Sequence, residues 1–240
     1  MQCLALASDF DGTLARDGVV DPATLAALER FRRSGRKLIL VTGRVLEELK
    51  SVFPQLDLFD RVVAENGAVL YSPGTREKRI LAEPAPPVFF EALRRRGVKP
   101  PEAGDVILST RRPAEAEVIK IIGELGLQLQ VIFNKSSVMI LPSGVNKKTG
   151  LAAALAELRL SEHNTVGIGD AENDHVFLRF CQVAAAVANA IPALKESADV
   201  VTRGEYGAGV SELIDRILAG EALGREAEPA KSGPPDAAAG

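Results

Sequence analysis

The chain has 240 residues, of which 46% are hydrophobic, and its formal net charge at pH 7 is −3. This balanced charge and the lack of tryptophan argue against nucleic acid or a membrane surface as a partner, since such partners select basic faces and aromatic platforms. No apolar stretch approaches the roughly 20 residues of a membrane-spanning helix. The two cysteines, Cys3 and Cys181, are predicted to be buried reduced thiols, and we predict a cytoplasmic protein.

The first part of the chain alternates short apolar strands with helices. Asp21 is a predicted N-cap, and Pro22 occupies the first position of the helix that follows. Strands are predicted at residues 4–7, 37–41 and 61–64, and helices at residues 22–34 and 45–52. Such alternation indicates βαβ units and a parallel sheet.

A different pattern begins after Glu65-Asn66-Gly67 and continues to residue 145. This segment has its own set of predicted strands, at residues 68–71, 79–82, 106–110, 129–133 and 138–141. Helices are predicted at residues 88–96 and 114–125. We interpret residues 68–145 as an inserted α/β cap domain.

The first pattern then resumes. Helices are predicted at residues 148–158, from 174, at 192–197 and at 209–218, and strands at residues 165–168, 183–187 and 199–202. The predicted fold is therefore α/β, with a Rossmann-like doubly wound parallel-sheet core formed by residues 1–67 and 146–220. Residues 221–240 are rich in Ala, Gly, Pro and charge, which predicts a disordered tail or a linker to a covalently attached downstream domain.

Polar residues follow three of the predicted core strands. Asp9 and Asp11 follow the first strand, Thr42 follows the second, and Asp170 follows the strand at residues 165–168. Open parallel sheets bind ligands beyond the carboxyl ends of their strands, so these side chains are expected to converge. Crowded carboxylates require a neutralising cation, and oxygen ligands without Cys or His clusters favour Mg²⁺.

Four ordered segments carry a resemblance to a known family. They are Asp9-Phe-Asp-Gly-Thr13, Val41-Thr-Gly-Arg44, Gly144-Val-Asn-Lys147 and Gly169-Asp-Ala-Glu-Asn-Asp174. With the cap-sized insertion between the second and third, they resemble the motifs of the haloacid dehalogenase superfamily, specifically its sugar-phosphatase-like subfamily IIB. The resemblance implies a Mg²⁺-dependent phosphatase that hydrolyses a small phosphomonoester, a sugar phosphate or a phosphoglycolate-like acid, through an aspartyl-phosphate intermediate.

The resemblance also implies roles for the catalytic residues. Asp9 would be the nucleophile, and Asp11 would protonate the leaving oxygen and then activate water. The Thr42 hydroxyl and the backbone at Gly43 would hold the transferring phosphoryl group. Lys147 would offset the charge on the nucleophile and the phosphate.

The implied metal site draws on the same segments. Asp9, the backbone carbonyl of Asp11, and Asp170 would ligate Mg²⁺. Asn173 and Asp174 would support the waters of the metal or Lys147, and Asn173 would also lie at the phosphate.

Several basic residues keep more than one interpretation. Arg44 is either a surface residue at a helix start or a residue that contacts the substrate or supports a group that does. Lys147 is preferred to Lys148 because it follows Gly-Val-Asn in the spacing of the family that the chain resembles. Three cap residues are either solvated or bind a second phosphate, a carboxylate or sugar hydroxyls of the substrate: Arg111, Arg112 and Lys135. We assign no role to His163 or His175.

Two other functions remain open. A phosphomutase or phosphotransferase would pass the phosphoryl group to an alcohol, and a phospho-sensing domain would retain it. Asp11 and the cap favour turnover with water, because a positioned acid/base promotes hydrolysis and a cap encloses a substrate. The sequence leaves the oligomeric state open.

Overall fold

The computed structural model describes residues 3–98, 102–134 and 137–223 of the chain. Lys135 and most of the predicted tail, residues 224–240, lie outside the described residues.

Within these residues the chain forms two sheets and eight α-helices. The strands are β1 (Ala5–Ser8), β2 (Lys37–Val41), β3 (Arg61–Ala64), β4 (Val69–Ser72), β5 (Glu77–Ile80), β6 (Glu102–Ala103), β7 (Leu108–Arg111), β8 (Leu129–Asn134), β9 (Ser137–Pro142), β10 (Thr165–Gly169), β11 (Val183–Ala186) and β12 (Val200–Val201). The helices are α1 (Pro22–Arg33), α2 (Leu46–Val52), α3 (Pro87–Arg95), α4 (Glu115–Glu124), α5 (Lys147–Leu158), α6 (His175–Leu178), α7 (Pro192–Ser197) and α8 (Tyr206–Leu218).

The larger sheet has the strand order β12-β11-β10-β1-β2-β3-β4-β5. The strands from β12 to β3 in this order pair in parallel. Every residue of β1, β10 and β11 is buried, as expected when helices cover both faces of a parallel sheet. The chain reverses its direction of strand addition at β1, which lies between β2 and β10. This confirms the predicted doubly wound α/β fold.

The hairpin of β4 and β5 lies in the larger sheet, although the sequence pattern assigned both strands to the cap. The short 3-10 turn Glu65–Gly67 reverses the chain, so β4 pairs antiparallel with β3 and β5 pairs antiparallel with β4. The first two strands of the predicted cap, residues 68–145, thus extend the larger sheet. The division between core and cap stays a prediction.

The smaller sheet has the order β6-β7-β9-β8 and is antiparallel throughout. One face packs on α3 and α4, where Leu108 and Ile140 join a buried cluster with Phe89 and Val118. Its other face, which carries the alternate residues of each strand, is turned toward the larger sheet. There a second cluster joins cap and core through Ala68, Val106, Ile107, Met139 and Leu141.

Candidate active site

The carboxyl ends of β1, β2 and β10 meet beneath the smaller sheet, at the point where the strand order reverses. Asp9, Thr42 and Asp170 follow these strands and line a cavity of about 290 Å³. Asp11 and Asn173 line the same cavity. The structure therefore brings these sequence-predicted residues to one place, where open α/β sheets generally bind ligands.

The N-terminus of α5 aims Lys147 into this site. Asn146 is the N-cap and accepts the backbone N–H of Thr149 at 3.2 Å, while the Thr149 hydroxyl accepts the N–H of Asn146 at 3.1 Å. Lys147 is therefore the first helical residue, and its side chain is 1% exposed. Lys148 turns the other way, with its ammonium 5.5 Å from the ring centroid of Phe180. Between these two lysines, the buried ammonium belongs to Lys147.

Two carboxylates hold the Lys147 ammonium. Its Nζ donates to Oδ1 of Asp9 and to Oδ1 of Asp174, at 2.5 Å in each case. Burial lowers the pKa of Lys147, but the charges of Asp174 and Asp9 more than offset it, and its pKa is raised above the ordinary value. Lys147 thus stays a cation and neutralises part of the acidic site.

The remaining acidic charge lies in one buried cluster that could hold a cation. Asp9, Asp170 and Asp174 are buried and each offer a carboxylate oxygen within 4.8 Å of the others. Burial raises the pKa of Asp9 well above its ordinary range, and the neighbouring charges of Asp174 and Asp170 add to this against the opposing effect of Lys147. A divalent cation would reverse this penalty, and oxygen donors suit Mg²⁺.

The backbone next to Asp170 leaves room for its carboxylate group. Gly12 has a φ of +91°, and a Cβ there would lie 2.3 Å from Oδ2 of Asp170. Asp170 also accepts the Thr13 hydroxyl at 3.2 Å. The Oδ2 atom of Asp174 accepts the backbone N–H groups of Asp170 and Ala171, at 2.9 and 3.0 Å. Asp174 therefore contacts both the loop and Lys147, and the supporting role at the metal stays a prediction.

The carboxylate of Asp11 lies apart from the acidic cluster. Nε and Nη2 of Arg44 donate to its two oxygens, at 2.6 and 2.8 Å. Arg44 also pairs with Glu48 and lies over the Phe10 ring, with Cζ 5.5 Å from the centroid. Arg44 therefore lies at the cavity wall in contact with Asp11, and its role stays a prediction.

The turn after β2 forms the opposite wall. The Thr42 side chain is buried, and its hydroxyl accepts the backbone N–H of Arg44 at 3.1 Å. Gly43 permits a close approach of the cap, because a Cβ there would lie 3.1 Å from Cε of Met139. Thr42 and Gly43 thus line the cavity directly beneath the smaller sheet.

The roof of the cavity comes from four cap residues to which the sequence assigned no role. They are Ile107, Ser109, Ser137 and Met139. The hydroxyls of Ser109 and Ser137 lie 2.8 Å apart. Successive residues of β7 and β9 point to opposite faces of the sheet, so Ser109 and Met139 lie on the same face. The sequence alone did not indicate that this face covers the site.

Other candidate residues lie elsewhere. Arg112 stacks over Phe133, 4.9 Å from its ring centroid, and Arg111 is exposed at the end of β7. Within the described residues, neither is among those that line the cavity. His163 contacts Gln182 through Nδ1 at 3.2 Å, and His175 contacts Ser197 through Nδ1 at 3.3 Å.

Comparison with known proteins identifies the family. A family model described as haloacid dehalogenase-like hydrolase matches residues 6–93 and 116–214, and the chain belongs to this family. The predicted enzyme class, a haloacid dehalogenase-type phosphatase, is confirmed.

Similar proteins cover nearly the whole chain. Phosphoglycolate phosphatase 2 of Saccharolobus solfataricus is 28% identical over 94% of this chain and 96% of its own length. Phosphoglycolate phosphatase of Metallosphaera sedula is 30% identical over 89% and 98%. The crystal structure of Thermoplasma acidophilum 0175 superimposes with a TM-score of 0.78 at 17% identity, covering 91% of this chain and 99% of that one. The subclass IIB sugar phosphatase BT4131 superimposes with a TM-score of 0.68 at 19% identity, covering 89% and 98%.

In the part of the chain that the structure describes, the helices are too short or too polar to cross a bilayer.

Proposed function

We propose that the protein is a magnesium-dependent phosphatase that hydrolyses a small phosphomonoester of the phosphoglycolate type through an aspartyl-phosphate on Asp9. The observation that carries this proposal is the buried contact of the Lys147 ammonium with Asp9, at 2.5 Å, beside Asp170 and Asp174 at the floor of the cavity. A buried carboxylate held by a cation is suited to attack a phosphoryl group, because its own charge is partly neutralised.

In the first step, a carboxylate oxygen of Asp9 attacks phosphorus and the bond from phosphorus to the leaving oxygen breaks. Asp11 gives its proton to that oxygen, so the alcohol leaves neutral. In the second step, Asp11 takes a proton from water, and the water oxygen attacks the same phosphorus. The bond between Asp9 and phosphorus breaks, which releases inorganic phosphate and restores both carboxyl groups. Arg44 orients Asp11 for both proton transfers.

Asp9, Asp170 and the backbone carbonyl of Asp11 would hold Mg²⁺. When bound, the ion supplies positive charge that lowers the repulsion between the phosphate and the carboxylates. The chain itself supplies the Lys147 ammonium, the Thr42 hydroxyl and the backbone at Gly43 for the transferring oxygens. Asn173 lies at the cavity wall, where it can contact a phosphate oxygen.

The size and lining of the cavity favour a small substrate. A volume of about 290 Å³ lies at the lower end of the range for ligand pockets. The roof offers the Ser109 and Ser137 hydroxyls, which can bind a carboxylate or hydroxyl group beyond the phosphate. The names of the two archaeal relatives agree with a phosphoglycolate-type acid.

The other partner predictions accompany this proposal. Neither nucleic acid nor a membrane surface is expected, because the net charge is nearly balanced. The cytoplasmic location and the covalently linked downstream domain also stay predictions.

The test is release of inorganic phosphate from a panel containing 2-phosphoglycolate, hexose phosphates and p-nitrophenyl phosphate, with Mg²⁺ or EDTA. We expect Mg²⁺-dependent turnover, with the highest kcat/KM for 2-phosphoglycolate. Asp9→Asn is expected to lose activity on every ester, whereas Asp57→Asn, at an exposed acid, is the matched control. Preference for a hexose phosphate would contradict the substrate class, and activity in Asp9→Asn would contradict the mechanism.

A further inference from the structure

A buried carboxylate outside the catalytic set joins the cap to the core. Glu65 is fully buried in the turn after β3. Its Oε1 accepts the backbone N–H of Asp105 at 2.9 Å, and its Oε2 accepts those of Val106 and Ile107 at 2.8 and 2.9 Å. These three amides belong to the cap segment that leads into β7, and Ile107 itself lines the cavity.

The cap segment is shaped around this carboxylate. A Cβ on Gly104 would lie 2.4 Å from Oε1 of Glu65, so only glycine allows the loop to approach this closely. Three N–H groups converging on one carboxylate satisfy donors that burial would otherwise leave unpaired. The N–H groups of residues 105–107 therefore depend on Glu65, whereas the N–H of Gly104 donates to the carbonyl of Ile107 at 2.9 Å.

On its other side, the same turn is tied to the phosphate-binding wall. The N–H of Glu65 donates to the carbonyl of Arg44, and the N–H of Asn66 donates to the carbonyl of Thr42, both at 2.9 Å. The side-chain oxygen of Asn66 accepts a hydrogen bond from Nδ2 of Asn173 at 3.3 Å. Glu65 and Asn66 both have left-handed backbones, with φ of +52° and +55°. Asn tolerates this conformation, but it is unfavourable for Glu65 and persists there only where the surroundings hold it.

We propose that Glu65 is a positioning residue that docks the cap over the active site and thereby determines substrate selectivity. It connects residues 105–107 of the cap to the turn that carries Thr42 and Arg44, so the roof and wall of the cavity share one anchor. Loss of this anchor releases the roof, including Ile107 and the neighbouring Ser109, while the floor around Asp9 stays intact. The choice of 2-phosphoglycolate as the readout rests on the proposed function.

Glu65→Gln tests this role with little change in side-chain volume. A glutamine has one acceptor oxygen where the glutamate has two. Its NH₂ group therefore points at one or more of the three backbone N–H groups, and two donors facing each other cannot form a hydrogen bond. Glu212→Gln is the matched control, because Glu212 accepts the backbone N–H groups of Arg203 and Gly204, at 2.8 and 3.0 Å, far from the cap in sequence. Both variants remove charge-assisted bonds to loop amides, but only the first concerns the cap.

The first readout is amide hydrogen exchange in the full chain, which does not depend on activity. In Glu65→Gln we expect faster exchange at residues 105–107 and unchanged exchange in β1, β2 and β10. In Glu212→Gln the segment 105–107 should exchange as in the wild type. Unchanged protection of residues 105–107 in Glu65→Gln would overturn the docking role, whatever the substrate of the enzyme is.

The second readout is the ratio of kcat/KM for 2-phosphoglycolate to that for p-nitrophenyl phosphate. p-Nitrophenyl phosphate has a good leaving group, and its aryl ring extends past the roof residues. Its turnover should therefore depend less on the position of the cap. For Glu65→Gln we expect the ratio to fall about tenfold, the size that follows from leaving one buried donor unpaired, and no change for Glu212→Gln. Equal losses on both esters, or the same change in Glu212→Gln, would overturn the selectivity role. Absence of 2-phosphoglycolate turnover in the wild type would instead contradict the proposed substrate, and the exchange experiment would still test the docking role.

Discussion

Arg44 donates two parallel hydrogen bonds to the carboxylate of Asp11, at 2.6 and 2.8 Å, at the edge of the cavity. A guanidinium fork matches a carboxylate in this way, whereas an ammonium makes only a point contact. Glu48 and the Phe10 ring fix Arg44 in turn. The pair therefore sets the direction of the carboxyl group to which we assign proton transfer.

The first prediction concerns this pair. Arg44→Lys keeps the charge but loses the fork, so kcat for an ester with a poor leaving group should fall about tenfold, the scale of one charge-assisted hydrogen bond. The fall should be smaller for p-nitrophenyl phosphate, whose leaving oxygen needs no proton. Arg30→Lys, in the exposed pair with Asp215, is the control. Equal kcat values for Arg44→Lys and wild type would contradict the orienting role.

The second prediction concerns Lys147. Lys147→Met leaves Asp9 and Asp174 buried without their shared cation, and breaking a buried ion pair costs about 3–5 kcal/mol. Urea unfolding in the presence of EDTA should show a loss of this size, and phosphate release should vanish. Lys148→Met, which removes only the contact with Phe180, should change the free energy of unfolding by less than about 1 kcal/mol. Similar losses in the two variants would argue against the special role of Lys147.

The third prediction concerns the metal. Mg²⁺ should raise the melting temperature, because it binds the folded acidic cluster and offsets the burial and the repulsion that raise the pKa of Asp9. At about 100 times the dissociation constant, the gain in unfolding free energy is about 2.7 kcal/mol. Asp170→Asn should lose most of this gain, and Asp57→Asn should retain it. A Mg²⁺ effect of equal size in Asp170→Asn would place the ion elsewhere.

The fourth prediction concerns the thiols. Burial raises the pKa of Cys3 from its ordinary value of 9.0 to about 11, against the opposing charge of Arg36, and burial also raises the pKa of Cys181. At pH 8 iodoacetamide should therefore label neither thiol in the native protein and both in urea, because the thiolate is the reactive form.

The raised pKa of Cys3 also has a consequence for stability. Between about pH 9 and 11 the unfolded thiol releases its proton before the folded one, so this contribution is complete below pH 9 and is lost as pH rises through 11. Cys3→Ala should show a weaker fall in unfolding free energy over this interval. A steeper fall in the variant, or rapid labelling of the native wild type, would contradict the burial of the thiol.

Much of this architecture could be predicted, because its signals are local. Apolar strands that end in Asp9, Thr42 and Asp170 indicate a common sheet edge by chain direction alone. The pattern of residues 148–158 similarly predicts a helix, which begins one residue earlier in the structure, at Lys147, after the N-cap Asn146.

The features that the sequence did not reveal depend on distant partners. The sequence pattern assigned β4 and β5 to the cap, because only the antiparallel pairing of β4 with β3, and of β5 with β4, places them in the larger sheet. Glu65 contacts amides 40 to 42 residues further along the chain, and no periodic pattern encodes such a contact. Arg44 stayed undecided for the same reason, because its role follows from where Asp11 lies in space.

The most direct test of the central claim is to locate the phosphoryl group on the protein. Asp11→Asn should still accept a phosphoryl group from acetyl phosphate and Mg²⁺, because that leaving group needs no proton, but it should lack the base that activates water. Acid quenching followed by peptide mass spectrometry should then find the phosphoryl group on Asp9. Modification at any other residue, or equal labelling when Asp9→Asn is added to this variant, would contradict Asp9 as the nucleophile.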